Sequence, residues 1–219
     1  MDYSYMKEAV SDAMNETICP KIIIGCDPSF THFGLTIIDR YHKEIKTYDI
    51  QTELGGQDFY NIAVKAKEQV EKVKMTIINS EPIKDIFHSL DTVIGMENAL
   101  PFAYNATSLT ALDVMLFHEF SPSKTALFNP TYLNYIMGKH TKRDSINLAN
   151  ALISMFINHG YDYTVKAGKK LSDGEAESFI YACRMLCRTQ PEDEITKDIL
   201  NLQPLFADEK EKFGTDFIY

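Results

Sequence analysis

Two short apolar runs in this chain each end on an acid. Ile22, Ile23 and Ile24 lead through Gly25 and Cys26 to Asp27, and Val93-Ile94-Gly95-Met96 leads to Glu97. Both runs read as buried central strands. In α/β sheets, functional groups gather beyond the ends of such strands. A carboxylate there is half sheltered, so it must neutralise, pair or meet a cation. Asp27 alone also fits an ordinary Asp-Pro turn. Two acids on neighbouring strands shift the balance toward a site.

A third piece is LSDGEAESFIYACRMLC (171–187). Ser172 and Glu175 have the spacing of a capping box, which starts a helix at Ser172 and gives Glu175 a structural job. Asp173 and Glu177 are four apart and project from one helix face. They repel each other unless a cation lies between them. The plainer reading, for this helix taken alone, is a solvated acidic first turn favoured by the helix dipole. Together Asp27, Glu97, Asp173 and Glu177 supply four hard oxygen ligand groups, which suit Mg²⁺ or Mn²⁺ better than zinc. Two such ions about 4 Å apart activate water and stabilise the leaving oxygen of a phosphodiester.

The elements that must position these acids follow from periodicity. Residues 3–16 read as a short amphipathic arm ended by Pro20. Residues 22–26, 33–39 and 44–51 read as three strands of an antiparallel meander. A helix over 58–79 follows, then a strand over 91–98, a helix over 105–119 and a strand over 125–128. Residues 143–159 form an amphipathic helix stopped by Gly160, and 173–188 the last clear helix. Order signals are weak around 195–205. The order β-β-β-α-β-α-β-α-α predicts a mixed five-stranded α/β sheet, three strands antiparallel and the rest parallel, with helices on both faces. The expected organisation is an N-terminal arm (1–20), one domain (21–190) and an acidic tail (191–219).

Composition agrees with one folded unit. The chain has 219 residues, 45% hydrophobic and 24% charged, with no repeats and no Gly/Ser linker. No apolar run approaches the roughly 20 residues of a membrane span. The N-terminus carries Asp2 and no apolar core, unlike a signal peptide. The four cysteines (19, 26, 183, 187) are then expected as reduced thiols in a cytoplasmic setting, or a host's cytoplasm if the chain is viral. Cys183 and Cys187 lack the C-x-x-C spacing of a zinc knuckle, and burial as small apolar groups is the favoured reading. The net charge is −9, which argues against indiscriminate nucleic-acid binding. The charge is uneven, however. Residues 124–170 carry seven Lys/Arg against two acids, and residues 191–219 carry eight acids against three Lys. A local basic surface survives a negative total.

Three blocks in order, IIIGCDPSFTHFGLTIID (22–39), DTVIGMENAL (91–100) and LSDGEAESFIYA (171–182), resemble the RuvC-type Holliday-junction resolvases of the RNase H-like (retroviral-integrase) superfamily. The resemblance spans most of residues 20–190. Ser29 stands where the family's turn usually has Gly, and Ser178 where Ala usually follows the second acid. The four-residue spacing of Asp173 and Glu177 looks more like the phage and mitochondrial branches than the bacterial one. Glu175 is the alternative to Glu177 as fourth acid.

The resemblance implies a Mg-dependent endodeoxyribonuclease, active as a homodimer on branched DNA, with two ions per site and no organic cofactor. It implies that Asp27, Glu97, Asp173 and Glu177 hold the ions. It also makes the cations of GKHTKRDS (138–145), Lys139, Lys142 and Arg143, the groups nearest the scissile phosphate, with Lys142 catalytic. Three cations at a helix start oppose the dipole, which weakens a purely structural reading. Lys166, Lys169 and Lys170 precede the acidic helix, as phosphate clamps or as an exposed loop. By the same resemblance Phe102 and Tyr104 could stack at the crossover, although an aromatic at a helix entrance is more often core. His140, amid cations, is the one histidine placed to meet phosphate or carry a proton. Helices 58–79 and 105–119 are candidates for the dimer face. The rival readings are a nuclease for other branched DNA or RNA, an inactive junction-binding homologue, and an actin-like phosphotransferase, for which the chain is short.

Overall fold

The computed structural model describes residues 20–29, 31–51, 58–80, 91–98, 106–120, 124–128, 132–138, 141–164 and 170–207. The arm read at 3–16 lies outside them. Among these described residues, six strands form one sheet: β1 (Ile22–Asp27), β2 (His32–Asp39), β3 (Glu44–Gln51), β4 (Thr92–Glu97), β5 (Lys124–Phe128) and β6 (Asp162–Tyr163). The helices are α1 (Phe59–Ile78), α2 (Ala106–Phe120), α3 (Tyr132–Met137), α4 (Lys142–Asn158), α5 (Asp173–Thr189) and α6 (Glu194–Leu202), followed by a 3₁₀ turn, Pro204–Ala207.

The spatial order is β5-β4-β1-β2-β3-β6. β1, β2 and β3 pair antiparallel, while β4 runs parallel to β1 and β5 parallel to β4. This is the mixed α/β sheet expected from the sequence, three strands antiparallel and the rest parallel, with one strand more. The sixth strand is two residues long and pairs parallel with β3 at Glu44↔Asp162 and Ile45↔Tyr163. So short a pairing carries no periodicity to read. It forms because Gly160, at φ +83°, turns the chain after α4, and the Asp162 amide then donates to the Lys43 carbonyl at 2.7 Å.

Strand alternation sorts β1 between two cores. Ile22, Ile24 and Cys26 join Phe33, Leu35, Ile94 and Met96 under α1 and α2. Ile23 joins Ile38, Val93, Phe128 and the inner faces of α4 and α5. Gly25 and Asp27 therefore lie on the α5 face, with Gly95 and Glu97 of β4 beside them. Helices thus cover both faces. The core continues beyond residue 190, because Ile195, Ile199 and Phe206 are buried in the α5-side cluster. The buried Arg184 donates to the Leu205 carbonyl at 3.2 Å and also to that of Phe206. Cys26, Cys183 and Cys187 are buried free thiols. No helix among the described residues is long and apolar enough to cross a membrane.

Candidate metal centre

Close backbone contact seats the acidic helix on the sheet. A Cβ on Gly25 would lie 1.8 Å from the Ser178 carbonyl oxygen, and one on Gly34 would lie 2.0 Å from that of Gly174. A Cβ on Gly95 would come within 2.8 Å of the Tyr181 carbonyl oxygen. Glycines at these positions let α5 settle directly on β1, β2 and β4. Gly25 and Gly95 are register partners, each two residues before its strand's acid. The helix that rests on the glycines therefore meets the acids one strand step further on.

The result is a carboxylate cluster. Asp27, Glu97 and Glu177 each bring an oxygen to within 4.8 Å of the others. Asp27 is buried, and the two glutamates are half-buried. Burial, then the charges of Glu97 and Glu177, push the Asp27 carboxyl well above the usual carboxylate range. Burial likewise pushes Glu97 up to about 7. The two carboxyls lie close enough to share a hydrogen bond, so a proton held between them relieves their repulsion. Tyr181 donates its hydroxyl to Glu97 Oε2 at 2.8 Å. Burial and the neighbouring carboxylates keep that phenol protonated, so it stays a donor. Ser145, fully buried in the first turn of α4, donates to Glu177 Oε1 at 3.1 Å.

Among the described residues, no other sequence candidate joins the cluster. Asp173 is not in the cluster. Lys142 engages its carboxylate and holds it below the usual range. The repulsion expected between Asp173 and Glu177 is therefore relieved by a side chain, with Asp173 one turn away from the cluster. Glu175 forms the capping box, accepting from the Ser172 amide at 2.9 Å while its own amide donates to Ser172 Oγ at 3.2 Å. Arg143, in the first turn of α4, and Lys170, just ahead of α5, are exposed. Lys139, His140, Lys166, Lys169, Phe102 and Tyr104 lie outside the described residues.

Ser178, where the resemblance expects Ala, is fully buried and satisfied. Its hydroxyl lies 2.8 Å from Thr36 Oγ1 and donates to the Glu175 carbonyl at 3.0 Å. The cations at the start of α4 are offset by Asp144, which accepts from the Thr141 amide at 2.8 Å.

Three polar groups at this end of the sheet were not singled out from sequence. Tyr181 follows Asp173 and Glu177 at the same four-residue step, which is the signal for it. Ser145 has no such signal. His32 Nδ1 lies 2.9 Å from Asp49 Oδ1, and Asp49 is the register partner of Gly34. That places an oriented imidazole on the α5 face, about 7 Å along β2 from the residue paired with Asp27.

No family model matches the chain, and no curated protein matches it in sequence. Among solved structures it is similar to Thermus thermophilus RuvC in complex with a Holliday junction substrate. That match has 14% identity over 90% of this chain and 99% of the other, with a TM-score of 0.43. A second Thermus thermophilus RuvC structure matches at 15% identity over 83% of this chain and 95% of the other, with a TM-score of 0.38.

Three carboxylates with no nitrogen or sulfur donor among them could hold a hard divalent cation. The raised carboxyls give this a thermodynamic signature. Glu97, at about 7 against an ordinary 4.5, binds its proton more tightly in the folded chain than in the unfolded one. Its contribution to stability is full below about pH 4.5 and is lost as pH rises through about 7. Asp27 acts in the same direction. Without divalent cations, Glu97 alone is expected to lower stability by about 2–3 kcal/mol between pH 5 and pH 8, and Asp27 adds to that loss. Millimolar Mg²⁺ should restore much of that at pH 8 and little at pH 5. Thermal melts at both pH values, with Mg²⁺ and with a chelator, check this. A Mg²⁺ effect of equal size at both pH values counts against the cluster as the binding site.

Proposed function

We propose that this protein is a metal-dependent, structure-selective endonuclease that hydrolyses phosphodiesters in four-way or otherwise branched DNA. One observation carries the proposal. Asp27 of β1, Glu97 of β4 and Glu177 of α5 converge at one end of an RNase H-like sheet, where their full ionisation requires a countercharge. The ordered blocks that resemble the RuvC-type resolvases contain all three acids. Mg²⁺ or Mn²⁺, two ions per site, would be held by these acids with Asp173. Bound there, the ions supply charge for the phosphate oxygens and a water of lowered pKa.

The chain's own groups supply the rest. Lys142 sits on Asp173 at the rim, within reach of a phosphate brought to the cluster. Arg143, Lys170 and, by sequence, Lys139, Lys166 and Lys169 hold flanking phosphates. Phe102 and Tyr104 stack on unpaired bases at the crossover. Buried thiols at Cys26, Cys183 and Cys187 suit a reducing, intracellular compartment.

Symmetric cutting of a four-way junction needs two sites, so the proposal includes a homodimer. Val114 on α2 and Tyr60, Val64 and Met75 on α1 are exposed large apolar side chains, and they support α1 and α2 as the shared face. Val114→Glu is expected to shift the protein from dimer to monomer in analytical ultracentrifugation. It should also turn paired junction cuts into single nicks. A monomeric wild type that still makes paired cuts removes this part of the proposal.

The assay for the activity is one digestion. Labelled four-way junction, flap, linear duplex and RNA–DNA hybrid are incubated side by side with Mg²⁺, Mn²⁺ or a chelator. Cation-dependent cutting of the junction above the linear duplex is expected. Preferential cutting of the hybrid reassigns the substrate to RNA. Binding of the junction with no cleavage in either ion leaves an inactive junction-binding protein.

A further inference from the structure

Two donors are built against the cluster from buried positions. Tyr181 is fully buried, and its ring stacks on Phe128 at 5.5 Å between centroids, 9° from parallel. Its hydroxyl cannot swing away from Glu97 Oε2, 2.8 Å distant. Ser145 is fully buried in α4 and bonds Glu177 Oε1 at 3.1 Å. Each of these glutamates therefore has one oxygen committed to a protein donor. Each oxygen keeps a second lone pair, but a carboxylate held to a fixed donor on one side is turned away from the symmetric approach that two-oxygen binding needs.

Divalent cations differ in how much this matters. Ca²⁺ takes roughly 6–8 oxygens at about 2.3–2.6 Å and readily uses bidentate carboxylates. Mg²⁺ takes about six at about 2.0–2.1 Å, keeps several waters, and needs only one oxygen from each of a few carboxylates. We propose that Tyr181 and Ser145 are positioning residues that set the cation selectivity of this centre, turning Glu97 and Glu177 toward one-oxygen contact and so disfavouring Ca²⁺ against Mg²⁺. The inference rests on the metal-binding reading above and adds two residues to it. Neither touches the cation or the phosphate; both act through the glutamates.

The test needs no nucleic acid and no turnover. Isothermal titration of the full chain with MgCl₂ and, separately, CaCl₂ at pH 8 gives the ratio of the two affinities. Tyr181→Phe keeps the ring and removes only the donor. It is expected to weaken Mg²⁺ about tenfold, the usual scale for losing a group that orients a ligand, while Ca²⁺ weakens far less. The affinity ratio then moves toward Ca²⁺ by about tenfold. Ser145→Ala should move it the same way, and it stands in if Tyr181→Phe folds poorly by circular dichroism. A general loosening of the fold weakens both ions alike and leaves the ratio in place.

An unchanged ratio in both variants overturns the inference, while the metal reading survives if Asp27→Asn abolishes Mg²⁺ binding. Wild-type protein that binds neither ion overturns both.

Discussion

Asp27→Asn is expected to abolish cleavage of a four-way junction, by about a thousandfold or more, while junction affinity stays within about twofold of wild type. The rate loss follows from geometry. Asp27 is the buried member of the cluster and the one on which Glu97 and Glu177 both act. Removing one group from a set that works together forfeits most of what the whole set contributes. The amide keeps the shape of the side chain but offers a cation no negative charge.

Binding should persist because the proposed phosphate contacts come from Lys and Arg elsewhere. Stability should move the opposite way to activity. With chelator at pH 8, Asp27→Asn removes a buried carboxylate crowded by two others, so its melting temperature should exceed that of wild type. The rise on adding Mg²⁺ should vanish. At pH 5, where wild type holds the shared proton, the gain should shrink. Cleavage assays, gel shifts and melts on one preparation read all of these together. A variant that cuts at the wild-type rate removes Asp27 from the mechanism.

The acids were legible in the sequence because each sits at a break in a strong pattern. Asp27 and Glu97 end runs of buried strand residues, and Glu177 lies on a helix whose start is marked by the Ser172–Glu175 box. The sheet was legible for the same reason, down to the three antiparallel strands. Three things were not. Strand β6 is two residues long, and its pairing depends on Lys43 and Gly160, far apart in the chain. The ordered segment 194–207 is charged on its outside, and only the burial of Ile195, Ile199 and Phe206 reveals its packing.

Membership of the cluster was the third. Spacing puts Asp173 and Glu177 on one face equally, but distance separates them. Glu177, one turn further along α5, meets the strand ends. Asp173, at the first turn, meets Lys142 across from α4. The choice between Glu175 and Glu177 had the same character. The capping box made Glu175 structural, and the fold places its carboxylate on the Ser172 amide.

The contact that positions Glu177 should also be the most fragile point in the fold. Gly25→Ala is expected to cost about 3 kcal/mol or more, above most overpacking substitutions. The added methyl would meet backbone, namely the Ser178 carbonyl oxygen at 1.8 Å and the Ala182 amide nitrogen at 2.8 Å. Neither can rotate aside as a side chain would. α5 must lift from β1, or β1 must shift within a sheet where it is buried on both faces. For a chain of this size, that loss lowers the melting temperature by roughly 6–12 °C.

A second consequence separates this from ordinary destabilisation. Glu177 and Tyr181 ride on α5, so lifting the helix also takes them away from Asp27 and Glu97. The Mg²⁺-dependent rise in melting temperature should therefore fall or disappear in Gly25→Ala, even well below its melting point. Gly160→Ala is the control. Gly160 has φ +83°, so the substitution strains the end of α4 for about 1 kcal/mol but leaves α5 in place. That variant should melt earlier and still respond to Mg²⁺ as wild type does. If Gly25→Ala melts like wild type and keeps the full Mg²⁺ response, α5 does not lie on β1 at this distance, and the link between the glycines and the carboxylate cluster is lost.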